Sequence, residues 1–163
     1  MEYLLLIYEF FKSRSKTGLI FPLALSATVF YFSDTCLFHK NATNLQDSII
    51  NVSGILLGFT ISIFAIFIGG SRGSIEETKT YETENKLYGK KISLYTTIVI
   101  GLGYVTLIES VLLIVSVLSP IFFEASSLFG RILFSITIFL FLHTIVALIS
   151  VILEFYFIIT KNR

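Results

Sequence analysis

The stretch LGYVTLIESVLLIVSV, residues 102–117, decides the fold class of this chain. It is apolar at almost every position and continues in both directions into a longer apolar run, 92–119. About 20 consecutive apolar residues are enough for a helix to cross the hydrocarbon core of a bilayer. One carboxylate, Glu109, lies in the middle of the stretch. The stretch therefore predicts a transmembrane helix with an acidic residue that needs its own explanation.

The rest of the chain repeats this pattern. It is 55% hydrophobic and only 14% charged, whereas a water-soluble domain carries about 25% charged residues. The predicted spans are 17–38, 49–70, 92–119 and 132–159. Residues 1–16 place their charges on one helical face, which favours an interfacial helix, although a prolongation of the first span fits equally well. The predicted fold is all-α: one polytopic membrane domain, 1–163, with four transmembrane helices.

The basic residues indicate the orientation of these spans. Three precede the first span, five lie between the second and third, and two follow the fourth, which makes ten on one side. Only Lys40 and Arg131 lie on the other side. Because lysine and arginine concentrate in cytoplasmic loops, both termini and the loop 71–91 are predicted to be cytoplasmic, in a bacterial inner (plasma) membrane.

The loop 71–91 is the longest predicted soluble segment. Glu82 and Lys86 have the i,i+4 spacing of a helical ion pair, so the loop is expected to form one or two helical turns. Its basic and acidic residues nearly balance, which excludes a strongly basic patch for nucleic acid or anionic lipid. We expect it to dock a soluble cytoplasmic protein partner instead. The docking candidates are Arg72, Glu76, Glu77, Lys79, Glu82 and Lys86.

The second span carries small residues on one helical face. They follow one another at spacings of 3, 4, 4, 3 and 4 residues and are called here the small-residue face: Asn51, Gly54, Gly58, Ser62, Ala65 and Gly69. Small residues allow the close backbone approach on which helix association in lipid depends. The face predicts a homo-oligomer interface or a pore lining. Close packing inside one four-helix bundle is an equal alternative.

The third and fourth spans carry buried polar candidates. A charged side chain at a helix centre costs about 2.5–3.5 kcal/mol on insertion scales and rarely faces lipid. Glu109 and His143 both lie about 15–17 Å below the predicted outer boundary, at a rise of about 1.5 Å per residue. Antiparallel neighbouring helices would bring them level, so a hydrogen-bonded pair between them is a hypothesis of the sequence.

The fourth span, which contains FLFLHTIVALISVILEF (139–155), also has a polar stripe. His143, Ala147, Ser150 and Glu154 share one face, while the opposite side is expected to face lipid: Leu142, Ile149, Leu153 and Tyr156. A titratable relay is one interpretation, since histidine ionises near physiological pH. The other is a polar clamp between helices that transports nothing.

Signatures of catalysis are lacking in the sequence. It contains no HExxH, P-loop, cysteine cluster or nucleophile elbow. His39 and His143 differ too much in predicted depth to share a metal ion. The sequence therefore predicts no enzyme, no cofactor and no metal site.

A resemblance adds a biological context. The segment NVSGILLGFTISIFAIFIGGSRGSIEETK, 51–79, resembles a recurrent helix in small membrane proteins of bacterial anti-phage systems. The predicted topology is similar to that of the membrane subunit of the Kiwa defence system, which implies a soluble DNA-binding partner. No residue role is carried over from this resemblance.

Three hypotheses for the function follow. The first is an oligomeric inner-membrane protein that senses membrane or envelope perturbation and signals to a cytoplasmic partner. The alternative is a pore-forming or proton-conducting effector. The third is a structural assembly subunit.

Overall fold

The part of the chain that the structure describes is helical apart from one short hairpin. A computed structural model describes residues 17–32, 36–69, 73–87, 90–122 and 127–161. These form α1 (Thr17–Phe32), α2 (Cys36–Gly69), α3 (Gly73–Thr80), β1 (Glu82–Leu87), β2 (Lys90–Ser93), α4 (Leu94–Phe122) and α5 (Leu128–Lys161). The helical fold class is confirmed. The predicted interfacial helix 1–16 lies outside the described residues.

Among the described residues, three helices are long and apolar enough to cross a membrane. Their apolar segments are Ala42–Gly69, Leu94–Pro120 and Leu128–Leu153. The apolar part of α1, Leu19–Phe32, is shorter. At 1.5 Å per residue it extends about 21 Å, against a hydrocarbon core of about 30 Å. The prediction of helices long and apolar enough to span a membrane is therefore confirmed for three of them, and a fourth span stays a prediction.

The loop predicted after the first span needs correction. Within the predicted span 17–38, the described residues are α1, Thr17–Phe32, and the start of α2 at Cys36, and residues 33–35 lie outside the described part of the chain. The loop expected at 39–48 belongs to α2, whose 34 residues extend about 51 Å. The polar residues of 39–48 indicated a loop, but a helix that continues beyond the bilayer can carry polar residues on its solvent side. Ala42 and Ile49 are buried on the packed side of this extension.

The predicted cytoplasmic loop also has a different structure. Its first half is helical in α3, but its second half is the antiparallel hairpin of β1 and β2. Glu82 therefore pairs with Ser93, and Lys86 with Lys91, instead of forming a helical i,i+4 pair. The β-propensity of Thr83 and Ile92 favours the hairpin over the helix that the i,i+4 spacing suggests. The Thr83 hydroxyl also donates to the Ile92 carbonyl at 2.8 Å.

The chain divides into two compact units. One unit, called here the polar-layer unit, contains Lys16–Gly58 and Leu107–Val146. Its apolar core is a cluster drawn from three helices: Ala42, Ile49, Leu112, Phe134 and Ile138. Because α2, α4 and α5 all contribute to this cluster, its contacts fix the register of these three helices within the unit.

The second unit, called here the hairpin unit, contains Met1–Ser15, Phe59–Thr106 and Ala147–Arg163. The hairpin joins α4 directly, and the Leu94 amide donates to the Tyr81 carbonyl at 2.9 Å. The ring of Tyr95 lies between two neighbours, Phe67 with ring centroids 6.4 Å apart and the Lys79 ammonium 5.4 Å from its centroid. These contacts attach α3 and the hairpin to the start of α4.

Candidate functional site

Glu109 lies on the packed face of α4. The buried positions of this helix follow one another at spacings of four and three residues: Ile98, Leu102, Val105, Glu109, Leu112 and Ser116. Glu109 has an exposed fraction of 0%. The exposed apolar residues Leu107, Val111 and Ile114 occupy other sides of the helix. The carboxylate in the opening stretch therefore points into the protein and away from lipid.

The polar residues of α5 divide between buried and partly buried positions. His143 and Thr144 are 6% and 1% exposed, and the imidazole of His143 stacks on Phe139 with ring centroids 5.8 Å apart. Ala147 is buried, and Ser150 is partly buried. The side chain of Glu154 lies outside the described part of the structure.

The lipid-facing side expected for α5 needs one correction. Ile149, Leu153 and Tyr156 are about half exposed or more, as a lipid-facing side requires. Leu142 instead packs against the apolar cluster of the polar-layer unit. The packed face of α5 is broader than a single stripe, because this helix supplies two neighbouring positions, Phe134 and Ile138, to the cluster.

Contacts within the polar-layer unit bring one further polar residue level with Glu109. The Gln46 amide donates to the Ser116 carbonyl at 2.8 Å, and Ile49 shares the apolar cluster with Leu112. Ser53 follows Ile49 by about one turn of α2, and Glu109 precedes Leu112 by about one turn of α4. Because Ile49 and Leu112 lie in the same cluster, Ser53 and Glu109 lie at about the same level. Ser53 is 1% exposed, so its side chain is on the packed side of α2.

The distances of residues from the ends of α4 and α5 place His143 and Thr144 near the depth of Glu109. Glu109 lies thirteen residues before the end of α4, and His143 and Thr144 lie fifteen and sixteen residues after the start of α5. At 1.5 Å per residue these depths are about 20, 22 and 24 Å. Ser53, Glu109, His143 and Thr144 thus occupy roughly one helical turn of depth, and we call them the buried polar layer.

Two hydroxyls of this layer, like the hydroxyl of Ser116 on α4, have no hydrogen-bond partner among the described residues. Several other hydroxyls bond a carbonyl of their own helix: Ser26 to Leu23, Thr28 to Ala24, Thr106 to Leu102, Ser135 to Arg131 and Thr137 to Leu133. The hydroxyl oxygens of Ser53 and Thr144 are buried and have no hydrogen-bond partner among the described residues. A buried hydroxyl without a partner costs about 1–3 kcal/mol, so these two groups require an explanation.

Near the end of α4, a polar side chain compensates for a proline. Pro120 lies inside α4 and has no N–H to donate to the Ser116 carbonyl four residues earlier. Gln46 on α2 supplies that donor at 2.8 Å and also donates to the Ser119 hydroxyl at 2.7 Å. Donors from neighbouring helices satisfy proline-freed carbonyls in membrane proteins in this way.

The small-residue face is exposed along its whole length. The packed residues of α2, which include Ile49, Ser53 and Thr60, lie on the opposite side of the helix. A Cβ atom added at Gly54, Gly58 or Gly69 would have no heavy atom of the described chain within 4 Å, apart from its immediate helix backbone. The space beside these three glycines is therefore open with respect to the described residues, and a second copy as the cover of this face stays a prediction.

The candidate docking residues lie in the hairpin unit. Glu76, Lys79 and Glu82 are exposed. Lys86 is part of β1, and its Cα pairs with that of Lys91. Arg72 and the side chain of Glu77 lie outside the described residues.

Sequence reasoning missed Gln46, Ser53 and Thr144. The sequence predicts a loop at Gln46, although Pro120 indicates that a carbonyl on α4 lacks its donor. Ser53 lies four residues after Ile49 on the apolar side of α2, and Thr144 is adjacent to His143. A search for hydroxyl residues on the packed sides of the helices would have found both.

The described residues contain no group of three or more His, Cys, Asp or Glu side chains that could hold a metal ion. No protein-family model, curated protein or solved structure matches the chain.

Proposed function

We propose that the chain is a subunit of a homo-oligomeric protein of the bacterial inner membrane that senses membrane or envelope perturbation. In this proposal it signals to a soluble cytoplasmic protein as part of anti-phage defence. The observation that carries the proposal is the exposed small-residue face on α2, opposite the packed side of the same helix. A helix that packs on one side and exposes small residues on the other is suited to contact a second copy of the chain.

The physical reason lies in the lipid environment. Water does not drive apolar helices together in a bilayer, so association depends on van der Waals contact at short range. Gly54 and Gly58 allow two backbones to approach closely, and no side chain of the described chain occupies the space beside them. A second α2 therefore fits this face, and a change in how two α2 helices cross is the movement by which membrane perturbation is sensed.

The proposed topology has four spans, with α1 as the first. With four spans, ten basic residues lie on the cytoplasmic side and two on the outer side. If α1 did not cross, the three basic residues before it would join Lys40 and Arg131 outside, and the division would fall to seven against five. The stronger asymmetry favours four spans and cytoplasmic termini.

The hairpin unit supplies the proposed docking surface. Lys90 and Lys91 are adjacent and exposed in β2. A partner with acidic side chains would complement this basic part of the surface. The surface also adjoins α4 directly through the bond between Leu94 and Tyr81, so a movement of the membrane helices reaches it without an intervening linker.

The defence role rests on the resemblance of 51–79 and is tested in cells. Expression of the chain together with its neighbouring genes should reduce phage plating, and the chain alone should not. A DNA-binding or nuclease-like neighbour is expected. Protection by the chain alone would contradict signalling through a partner.

Replacement of Gly58 by leucine tests the oligomer. Gly58→Leu adds bulk in the centre of the small-residue face, where the chain itself has open space, so the subunit should fold normally and the oligomer should dissociate. The control Val52→Phe adds bulk on an exposed flank of the same helix, about 120° away. Mass measured by light scattering in detergent reports the result. Equal masses for the two variants would refute the interface.

Proton conduction is the second candidate, and the burial of Glu109 and His143 in apolar helices favours it. Ionisable residues inside membrane helices often mark proton pathways. Dissipation of a pH gradient in proteoliposomes tests this candidate with wild type and Glu109→Gln. Flux that is lost in a well-folded Gln variant would favour conduction over a polar clamp. We expect no flux from the resting wild type.

A further inference from the structure

One amide side chain on the small-residue face lies deep in the apolar part of α2. Asn51 is exposed, and its amide has no hydrogen-bond partner among the described residues. Gln46, which precedes Asn51 by about one and a half helical turns, donates to the Ser116 carbonyl of α4, whose apolar segment ends at Pro120. At about 1.5 Å per residue, Asn51 therefore lies about 13 Å inside the outer end of that segment. At this depth a bilayer surrounds the amide with hydrocarbon instead of water.

An amide differs from a hydroxyl in what its own helix can supply. An exposed hydroxyl on a helix bonds a carbonyl of the preceding turn, as Thr28 does to the Ala24 carbonyl at 2.9 Å. The amide of asparagine has two N–H donors and also an acceptor oxygen. Because every N–H inside a helix already bonds a carbonyl of the same helix, none is left for that oxygen. The Asn51 oxygen therefore needs a donor from outside α2, and leaving it without one in hydrocarbon is costly.

A second asparagine supplies both missing groups. Two facing amides each donate one N–H to the oxygen of the other, so the pair is self-complementary. In a twofold dimer of identical chains, a residue beside the symmetry axis faces its own counterpart. Asn51 and Gly58 are about two helical turns apart, so they lie on one line along the small-residue face. We propose that Asn51 pairs with Asn51 of a second copy of the chain and fixes the register of the dimer.

This pair gives the proposed interface its specificity, and it rests on the homo-oligomer proposed above. Small residues permit close approach, but van der Waals contact between smooth helices distinguishes poorly between partners and registers. A polar asparagine in an apolar interface is satisfied in one register, and asparagine side chains form hydrogen bonds across membrane helices. Asn51 therefore selects a second copy of this chain over other membrane helices that expose small residues.

The dissociation constant of the dimer tests the pair. It is measured in detergent by energy transfer between donor-labelled and acceptor-labelled full-length chains. Asn51→Leu replaces the amide by a side chain that is compatible with lipid. It should raise the dissociation constant about tenfold, as expected for the loss of two hydrogen bonds between membrane helices. Asn51→Gln keeps an amide at the same position and should retain most of the wild-type affinity.

Asn44→Leu is the matched control. Asn44 is exposed on the same side of α2, about two turns further out, in the extension beyond the bilayer where water satisfies its amide. This substitution should leave the dissociation constant unchanged. A change as large as that of Asn51→Leu would show that polarity along the helix matters and not the pair, and it would overturn the proposal.

A mixed dimer of wild type and Asn51→Leu tests whether Asn51 meets its own counterpart. Energy transfer between a donor-labelled wild type and an acceptor-labelled variant reports this dimer alone. Its affinity should be no higher than that of the Asn51→Leu dimer, because a single asparagine has no second amide to pair with. An intermediate affinity would show that each Asn51 bonds a different group of the second copy, and it would overturn the pair.

Gly58→Leu in the same assay separates the pair from the interface. If Gly58→Leu dissociates the dimer and Asn51→Leu leaves the dissociation constant unchanged, the pair is refuted and the homo-oligomer stands. The amide of Asn51 then bonds a carbonyl of its own helix. If neither substitution changes the dissociation constant, both the pair and the proposed interface are refuted.

Discussion

The contact between Gln46 and the proline-interrupted end of α4 gives a quantitative prediction. Gln46→Leu removes two hydrogen bonds of 2.8 and 2.7 Å. At about 0.5–1.5 kcal/mol for each bond, the loss is about 1–3 kcal/mol. It also leaves the Ser116 carbonyl without a donor, because residue 120 is a proline and has no N–H.

A second substitution isolates the effect of leaving the Ser116 carbonyl without a donor. Pro120→Ala restores the backbone N–H that bonds the Ser116 carbonyl in a regular helix. In the Pro120→Ala background, Gln46→Leu should cost only the bond to Ser119, about 0.5–1.5 kcal/mol. The two positions should therefore couple by the energy of the bond to the Ser116 carbonyl, about 0.5–1.5 kcal/mol, although they are far apart in the sequence.

The assay is a double-mutant cycle. The free energy of unfolding of the wild type, both single variants and the double variant is measured by SDS titration in mixed micelles. Independent sites add within about 0.3–0.5 kcal/mol. Additivity within that limit would refute the reasoning that Gln46 replaces the donor that Pro120 lacks.

Two further predictions concern topology and capping. Cys36 should react with an impermeant thiol reagent added outside intact cells, whereas Thr80→Cys in a Cys36→Ser background should stay protected; outside labelling of position 80 would reverse the proposed orientation. Ser127→Ala should destabilise the protein by about 1 kcal/mol, because the Ser127 hydroxyl accepts the Gly130 amide at 3.0 Å at the start of α5; an unchanged unfolding free energy would show that water replaces the cap.

The membrane helices could be predicted because hydropathy reports them directly. The burial of Glu109 follows equally from local information, since a carboxylate between apolar neighbours can avoid lipid only by facing the protein. The extension of α2 through 39–48 could not be predicted in this way. Its polar residues suit a loop and a helix outside the bilayer equally well, and only the burial of Ala42 and Ile49 distinguishes the two.

The missed features depend on registers between helices. The i,i+4 spacing of Glu82 and Lys86 suits a helix. In the structure these residues instead pair with Ser93 and Lys91 across a hairpin, and the sequence spacing does not report this pairing. Gln46 can supply the donor that Pro120 lacks only because the packing of α2 against α4 brings Gln46 next to the Ser116 carbonyl. Ser53 reaches the level of Glu109 for the same reason, so the buried polar layer could be predicted in part, through Glu109 and His143, but without Ser53 and Thr144.

Disulfide cross-linking in native membranes tests the central claim, that the small-residue face joins two subunits, most directly. Single cysteines replace Gly54, Gly58 or Ser62 on the face, and Val52, Phe59 or Ile66 on its exposed flanks, in a Cys36→Ser background. After mild oxidation, we predict covalent dimers for the three face positions and monomers for the three flank positions. Monomers at every face position, or equal dimer yields on the face and its flanks, would contradict the account.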